Sequence, residues 1–586
     1  MITPKIKNIL MATAVALACI SPLAAKESKE DFDARMQWFD EAKFGLFIHW
    51  GSYSTLAGSW NGKQIDGYAE WIQAGADIPK AEYSEVAKRF NPSKFNAEEW
   101  IKTAKQAGMK YMVITTKHHD GFCLWDSKYT EYDIKDAAGV EKDLLGELSA
   151  ACKKHGIKFG TYYSIIDWHH PTQKPASGDF WKKWGNPDWA GPNAKEEYVQ
   201  YMKNQLKELV DRYDTQIFWF DGDWWKNWSM ADGEDLYAYL REIQPTAIIN
   251  NRVSKRNSSK IDFGTPEQFT PGTKLDYYWE ACWTINHSWG YKEHDKNWKT
   301  TKQLVQKLVD INSKGGALLL NIGPTTEGEF PPGCLDRLAG MGDWLKTHSE
   351  AIYKTNFADI PLQDWGRVLQ KGDTIYLHVF DWPADGKLTV AGLNADVQEL
   401  MLMNSEEKVS AENKDKSLLI RIPAKGSNEY SSVIKLVAAP GSIKTFELPD
   451  ASVPLKEGDL LLSAKKAEIT GSGTLKYEGK NKNLGYWSSE DNVATWKQEV
   501  VIPGQYRVLL ICASPKGGSQ FVLEAAEQKL TGTVNQTGAW EKYQELNAGV
   551  LNLPEITNYT FSLKMTEKKS EALFNLKAVI LRPINK

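Results

Sequence analysis

The chain has no disulfide framework to stabilise it. Six cysteines are spread over 586 residues. Those beyond the first 25 residues are Cys123, Cys152, Cys282, Cys334 and Cys512, an odd number with no pair at metal-ligand spacing. They are expected to be mostly buried, free thiols, so stability has to come from apolar cores. Charge of one sign is also lacking. A net charge of −4 leaves no electrostatic footprint for nucleic acid or an anionic membrane. After the first 25 residues no run is apolar enough for a membrane span. No glycine-rich phosphate loop follows the first apolar run, which argues against a dinucleotide fold. No motif calls for a cofactor.

What is present begins with an export signal. Lys5 and Lys7 precede an apolar stretch from Ile9 to Ile20, and Pro22-Leu23-Ala24-Ala25 supplies small residues before Lys26. This reads as a signal peptide over residues 1–25, with a periplasmic destination. Cys19, in Ala16-Leu17-Ala18-Cys19, offers the alternative of a lipid-anchored cell-surface protein. Twenty-four tryptophans modestly favour carbohydrate, because aromatic rings pack on the apolar faces of sugars. The length is too great for one core and implies about two to four domains.

From residue 31 to 355 apolar runs alternate with helical segments. Asn96 is placed to cap a helix with Glu99 as its third residue. A second helix is expected over Lys195 to Tyr213, a third through Leu304 to Ile311, and a closing one over about Leu335 to Thr347. The most informative run is Gln216-Ile217-Phe218-Trp219-Phe220-Asp221, a buried-type strand ending in a carboxylate. Four other runs also end in polar or ring-bearing residues: Phe44 to His49, Tyr111 to His119, Phe159 to Tyr163, and Ala247 to Arg252. Continuous apolar runs mark buried parallel strands, and a (β/α)8 barrel gathers its chemistry at their C-terminal ends. Beyond 356 the pattern changes to short alternating strands, read as a β-sandwich over 356–450. A second all-β unit follows over 455–586 after a linker near Asp450 to Pro454. There Trp496 to Ile502 and Tyr506 to Cys512 are expected to form a hairpin about Pro503-Gly504. Trp487, Trp496 and Trp540 are open to two readings, a sugar platform or core aromatics.

Glycoside hydrolysis needs two carboxylates across the scissile bond, ~5–5.5 Å apart in retaining enzymes and wider in inverting ones. Asp221 with either Glu267 or Glu280 supplies the pair. His118-His119-Asp120 and Trp168-His169-His170 invite a metal reading. Neighbours on a strand face opposite ways, so both rings of His118-His119 enter the barrel only if the chain bends at its mouth. Hydrogen bonding to sugar hydroxyls is the better use of these rings, and no metal is expected.

Several motifs then occur in order: Phe47-Ile48-His49-Trp50-Gly51, Glu70-Trp71, Lys117-His118-His119-Asp120-Gly121-Phe122, Trp219-Phe220-Asp221-Gly222, Trp279-Glu280-Ala281-Cys282 through Trp289-Gly290-Tyr291, and Leu318-Leu319-Leu320-Asn321-Ile322-Gly323-Pro324. Together they resemble the α-L-fucosidase family of glycoside hydrolases (family 29) over about residues 31 to 450. The resemblance implies an α/β fold, a distorted (β/α)8-like barrel followed by β-sandwich domains, and a retaining exo-α-L-fucosidase acting on terminal α-L-fucosyl residues of oligosaccharides or glycoconjugates. It implies Asp221 as nucleophile. It also implies that His49, Glu70, Trp71, His118, His119, Tyr162, Trp219, Arg252 and Trp289 line the fucose pocket. Glu267 matches the acid/base best, with Glu280 in reserve. A glycosidase for a related L-sugar and a non-catalytic glycan-binding protein on the same scaffold are the alternatives. The unit over 455–586 resembles accessory carbohydrate-binding modules only loosely and is expected to serve attachment or packing.

Overall fold

A computed structural model describes residues 27–174, 187–446 and 459–584, apart from residues 257, 272, 273, 276, 473, 480, 501, 502 and 556. The expected signal peptide, Cys19 and the linker near 450–454 lie outside the described residues.

Seven parallel strands carry the first part of the fold: β1 (Phe44–Ile48), β2 (Tyr111–Lys117), β3 (Lys158–Ser164), β4 (Ile217–Asp221), β5 (Ile248–Ile249), β6 (Glu280–Thr284) and β7 (Ala317–Ile322). Their order in the sheet is β6-β7-β1-β2-β3-β4-β5. That is sequence order wound into a ring with one place open, between β5 and β6. The segment from Asp262 to Gln268 fills the place as an irregular eighth strand. Asn250 bridges Phe263, Gly264 bridges Trp279 and Glu267 bridges Cys282, all in parallel. The Gly264 N–H donates to the Tyr278 carbonyl at 2.8 Å and the Gln268 N–H to that of Cys282 at 3.0 Å. The barrel is therefore (β/α)8-like and distorted at this place.

Every residue of β1, β2, β4 and β7 is buried, as expected of strands covered on both faces. The helices start where the sequence places caps. The Asn96 side chain accepts from the Glu99 N–H at the head of Ala97–Gln106, a contact worth about 1 kcal/mol. Thr300 and Gln303 form a reciprocal capping box ahead of Thr301–Asn312. The closing helix Pro332–His348 has no side-chain cap, and proline stands at its first position, where a missing N–H costs nothing. All five described cysteines are free and buried.

The sheet built from Asn356–Phe357, Gly366–Lys371, Thr374–Val379, Ser432–Ala438 and Val397–Leu402 uses both of its faces. Ile375, Leu377 and Val379 enter the sandwich core. Tyr376 and Val433 join the barrel's own core from the other face. The alternation of this strand therefore separates two cores rather than core from solvent. The region from residue 459 onward forms a six-stranded and a five-stranded sheet around a separate core. Here one expectation fails. Val493–Val500 pairs with Thr557–Glu567 in the five-stranded sheet, whereas Gly504–Ala513 pairs with Gln544–Leu553 and Asn575–Pro583 in the other. The two strands lie in different sheets and form no hairpin. Alternation reports which face is buried, not which strand is the partner. Both strands turn their apolar faces into the shared core, Trp496 from one and Val508 from the other. Trp487 and Trp496 are accordingly core aromatics, 0 % and 2 % exposed, and make no sugar platform.

Candidate active site

At the C-terminal mouth of the barrel a guanidinium joins two carboxylates. Asp221 is the last residue of β4, and Arg252 lies in the turn just after β5. Arg252 Nη1 donates to Asp221 Oδ1 at 2.8 Å, and Nη2 donates to Glu267 Oε2 at 2.8 Å. Two further donors go to Thr265, Nε to Oγ1 at 2.8 Å and Nη2 to the carbonyl at 3.2 Å. Its Cζ lies 4.6 Å from the Trp219 ring centroid. Both carboxylates are thus held on one fixed fork. Burial acts to raise the Asp221 carboxyl, but the charge and hydrogen bond of Arg252 outweigh it and hold Asp221 below the ordinary aspartate value of 3.8. The Tyr162 hydroxyl donates to Asp221 Oδ2 at 3.0 Å, so the group is an ionised, oriented carboxylate.

The histidines around it are neutral. Burial lowers His49 to about 3 and His119 to about 4, and takes His118 well below its ordinary value. Asn321 Nδ2 donates to the Trp289 carbonyl at 2.7 Å, which leaves Asn321 Oδ1 to accept from His49 Nδ1 at 2.7 Å. The His49 proton is therefore on Nδ1, and Nε2 is an acceptor. His119 Nδ1 is fixed in the same way by Ser164 Oγ at 2.6 Å, with Ser164 donating onward to the Ile166 carbonyl. His119 Nε2, His118 Nδ1 and Glu70 Oε1 have no hydrogen-bond partner among the described residues. The other oxygen of Glu70 accepts from the Gly290 N–H at 2.8 Å, and burial pushes its carboxyl up to about 8. The adjacent histidines both reach the site because the strand bulges between Thr115 and Lys117 and ends there.

These groups surround a cavity of about 480 Å³. Of the expected residues, His49, Glu70, Trp71, His118, Tyr162, Trp219, Asp221, Arg252, Glu267 and Trp289 line it. His119 stands behind the lining, its Nε2 3.7 Å from Asp221 Oδ2 and its ring 5.1 Å from that of Trp71. Glu280 does not line the cavity. It opens β6 at the barrel's N-terminal end, level with Ala317, and is fully buried. Its oxygens accept from the Tyr111 hydroxyl at 2.6 Å and the Trp219 Nε1–H at 2.7 Å. Trp168 is wholly buried, and His169 and His170 lie outside the lining. Phe47, Tyr68, Trp224, Arg256 and Cys282 also line the cavity, and sequence reasoning did not select them. Tyr68 stands two residues before Glu70, Trp224 belongs to the run that follows Asp221, and Arg256 lies one turn beyond Arg252, where it pairs with Asp223 at 2.8 Å. Proximity to a chosen residue was the available signal. Away from the cavity, Asp126, Asp133 and Asp136 approach within 4.8 Å. Asp133 is already saturated by backbone N–H groups and Asp126 is paired with Lys135, so the cluster is explained without an ion.

A family model described as α-L-fucosidase matches residues 14–350. The chain belongs to the α-L-fucosidase family. A tissue α-L-fucosidase from Bos taurus is 31 % identical over 430 residues, 68 % of this chain and 88 % of that one. Among solved structures, a Bacteroides thetaiotaomicron α-L-fucosidase trapped as a covalent intermediate with 2-fluoro-fucosyl fluoride is 32 % identical. Its TM-score is 0.62, and the match covers 69 % of this chain and 96 % of that one. An α-L-fucosidase from Vibrio sp. strain EJY3 is 26 % identical with a TM-score of 0.67, over 95 % of this chain and 98 % of that one. The likeness to the Vibrio enzyme therefore extends into the region beyond residue 450. The family is a class of retaining glycoside hydrolases.

Proposed function

We propose that the protein is an exo-acting α-L-fucosidase that releases terminal α-L-fucose from glycans by double displacement. Asp221 is the nucleophile and Glu267 the acid/base. The observation that carries this reading is the single guanidinium shared by the two carboxylates at the mouth of an aromatic cavity. Arg252 keeps Asp221 ionised for attack at the anomeric carbon, while Glu267, which is partly open to solvent, protonates the departing oxygen. Glu267 then takes a proton from water, which releases fucose from Asp221 with net retention. The unpartnered atoms of His118 and Glu70, which line the cavity, suit the sugar hydroxyls, and the neutral Glu70 carboxyl donates. Trp71, Trp219 and Trp289 supply an apolar wall for the C6 methyl, which rejects an added hydroxyl only modestly. Glu280 supports the floor through Trp219 and is not the acid.

We read the chain as a signal peptide over 1–25, a catalytic barrel over 31–355, a sandwich over 356–450 and an accessory unit over 455–586, exported to the periplasm. No helix among the described residues is long and apolar enough to cross a membrane. The decisive experiment is Asp221→Gly. It should fold, lose nearly all turnover of an aryl α-L-fucoside, and be partly rescued by azide with β-fucosyl azide as product. Turnover at the wild-type level in this variant excludes the assignment.

A further inference from the structure

The rim beyond Glu267 is built by two stretches far apart in sequence. Gln268 takes φ of +49°, a left-handed conformation that non-glycine residues seldom adopt. It is held there by its N–H to the Cys282 carbonyl at 3.0 Å and its side-chain amide to Thr284 Oγ1 at 2.8 Å. The next residue, Phe269, is turned outward with 47 % of its surface exposed. Lys476, from the C-terminal region, faces it. Its Nζ stands 4.7 Å from the Phe269 ring centroid and 4.4 Å from that of Tyr486. Tyr486 is 53 % exposed and also left-handed, at φ of +59°, with its carbonyl accepting from Thr474 Oγ1 at 2.8 Å. One ammonium thus ties together two half-exposed rings, each carried on or beside a constrained backbone, just past the proposed acid. Tyr486, not its buried neighbour Trp487, is the ring this loop offers to solvent.

We propose that Phe269, Lys476 and Tyr486 form the binding site for the sugar that carries the fucose, the leaving group of the reaction. This rests on the fucosidase reading above. The apolar C–H face of that pyranose lies on the two rings while Glu267 reaches the glycosidic oxygen. The cation–π contacts hold the rings together across the two regions, and the ammonium keeps N–H donors for the sugar's hydroxyls. The C-terminal region then contributes to substrate choice at the active site itself, which a role in remote attachment or packing does not include.

The test uses full-length protein carrying Phe269→Ala, Tyr486→Asn or both; asparagine tolerates the left-handed backbone at 486. Each is assayed on α-L-fucosyl fluoride, whose leaving group has no ring to stack, and on α1,2-linked and Lewis-type fucosyl oligosaccharides. The readout is the ratio of kcat/KM on the oligosaccharide to that on the fluoride. Each lost ring is expected to lower that ratio about fivefold, mainly through KM, and Phe269→Tyr and Tyr486→Phe should restore it. A ratio that stays at the wild-type value, an equal loss on both substrates, or a wild type that cleaves the fluoride but no oligosaccharide overturns the subsite. A wild type that cleaves neither substrate overturns the fucosidase reading itself, and the subsite with it.

Discussion

Replacing Arg252 by glutamine removes the charge that joins the two carboxylates and leaves a neutral polar side chain in its place. The two arms of the ion pair are unequal. The Glu267 side chain is 34 % exposed, so solvent screens its contact, whereas that of Asp221 is 13 % exposed and Arg252 only 1 %. Most of the loss therefore falls on Asp221. Removing one partner of a buried pair costs about 3–5 kcal/mol. At roughly 1.5 °C per kcal/mol for a barrel of ~320 residues, the barrel's melting temperature should fall by about 5 °C at pH 7. The sign of the pH dependence follows from Asp221. Its folded-state pKa lies below 3.8 because the charge and hydrogen bond of Arg252 outweigh burial. A depressed carboxylate contributes stability above its unfolded value and loses it as pH falls through the folded one. The gap between wild type and variant should thus be widest near neutrality and narrow below about pH 4. With the guanidinium gone, burial acts unopposed by Arg252, so the acid limb of kcat/KM should move to higher pH. Turnover should drop roughly 10²–10³-fold. Calorimetry at pH 7 and at about pH 3 and a pH–rate profile on an aryl fucoside check this. A melting temperature within about 1 °C of wild type at pH 7, or an acid limb that stays in place, refutes the argument.

Glu267→Ala should be far more damaging on a fucosyl oligosaccharide than on an aryl fucoside, because an activated phenol leaves without protonation. Azide should speed the aryl reaction and give α-fucosyl azide; finding that product with a Glu280 variant instead would exchange the two roles. Burial pushes the Glu280 carboxyl up to about 7, against the hydrogen bonds from Tyr111 and Trp219. The folded state therefore holds this proton more tightly than the unfolded chain, and stability falls as pH rises from about 4.5 through 7. Glu280→Gln should escape that fall, so its melting temperature should gain on wild type across this window; parallel curves would show that the carboxyl is not held neutral. At Gly45, in β1, an added Cβ would collide with the Tyr111 ring. Gly45→Ala should cost about 1–3 kcal/mol, and an unchanged melting curve would contradict that packing.

The barrel strands, the helix caps and the position of Asp221 were legible in the chain because each is written locally. A run buried on both faces must be apolar throughout, a cap must be a short polar side chain at the right offset, and a carboxylate presented at the barrel mouth must end such a run. The pairing of strands is not local. Val493–Val500 and Gly504–Ala513 are near neighbours in sequence, yet they belong to opposite sheets. Along the chain only the family resemblance ranked Glu267 ahead of Glu280, since each borders an aromatic segment with similar company. The closing of the barrel places only Glu267 at the cavity. Parallel pairing sets Glu267 level with Cys282 near the C-terminal mouth, and sets Glu280 at the opposite end of its strand, beneath Trp219. The sequence by itself determined which segments are buried and which residue types end them, because burial acts on each segment separately. Only the tertiary structure decided which of those ends meet, including Phe269 with Lys476, because ring closure and sheet order depend on the relative placement of segments distant in sequence.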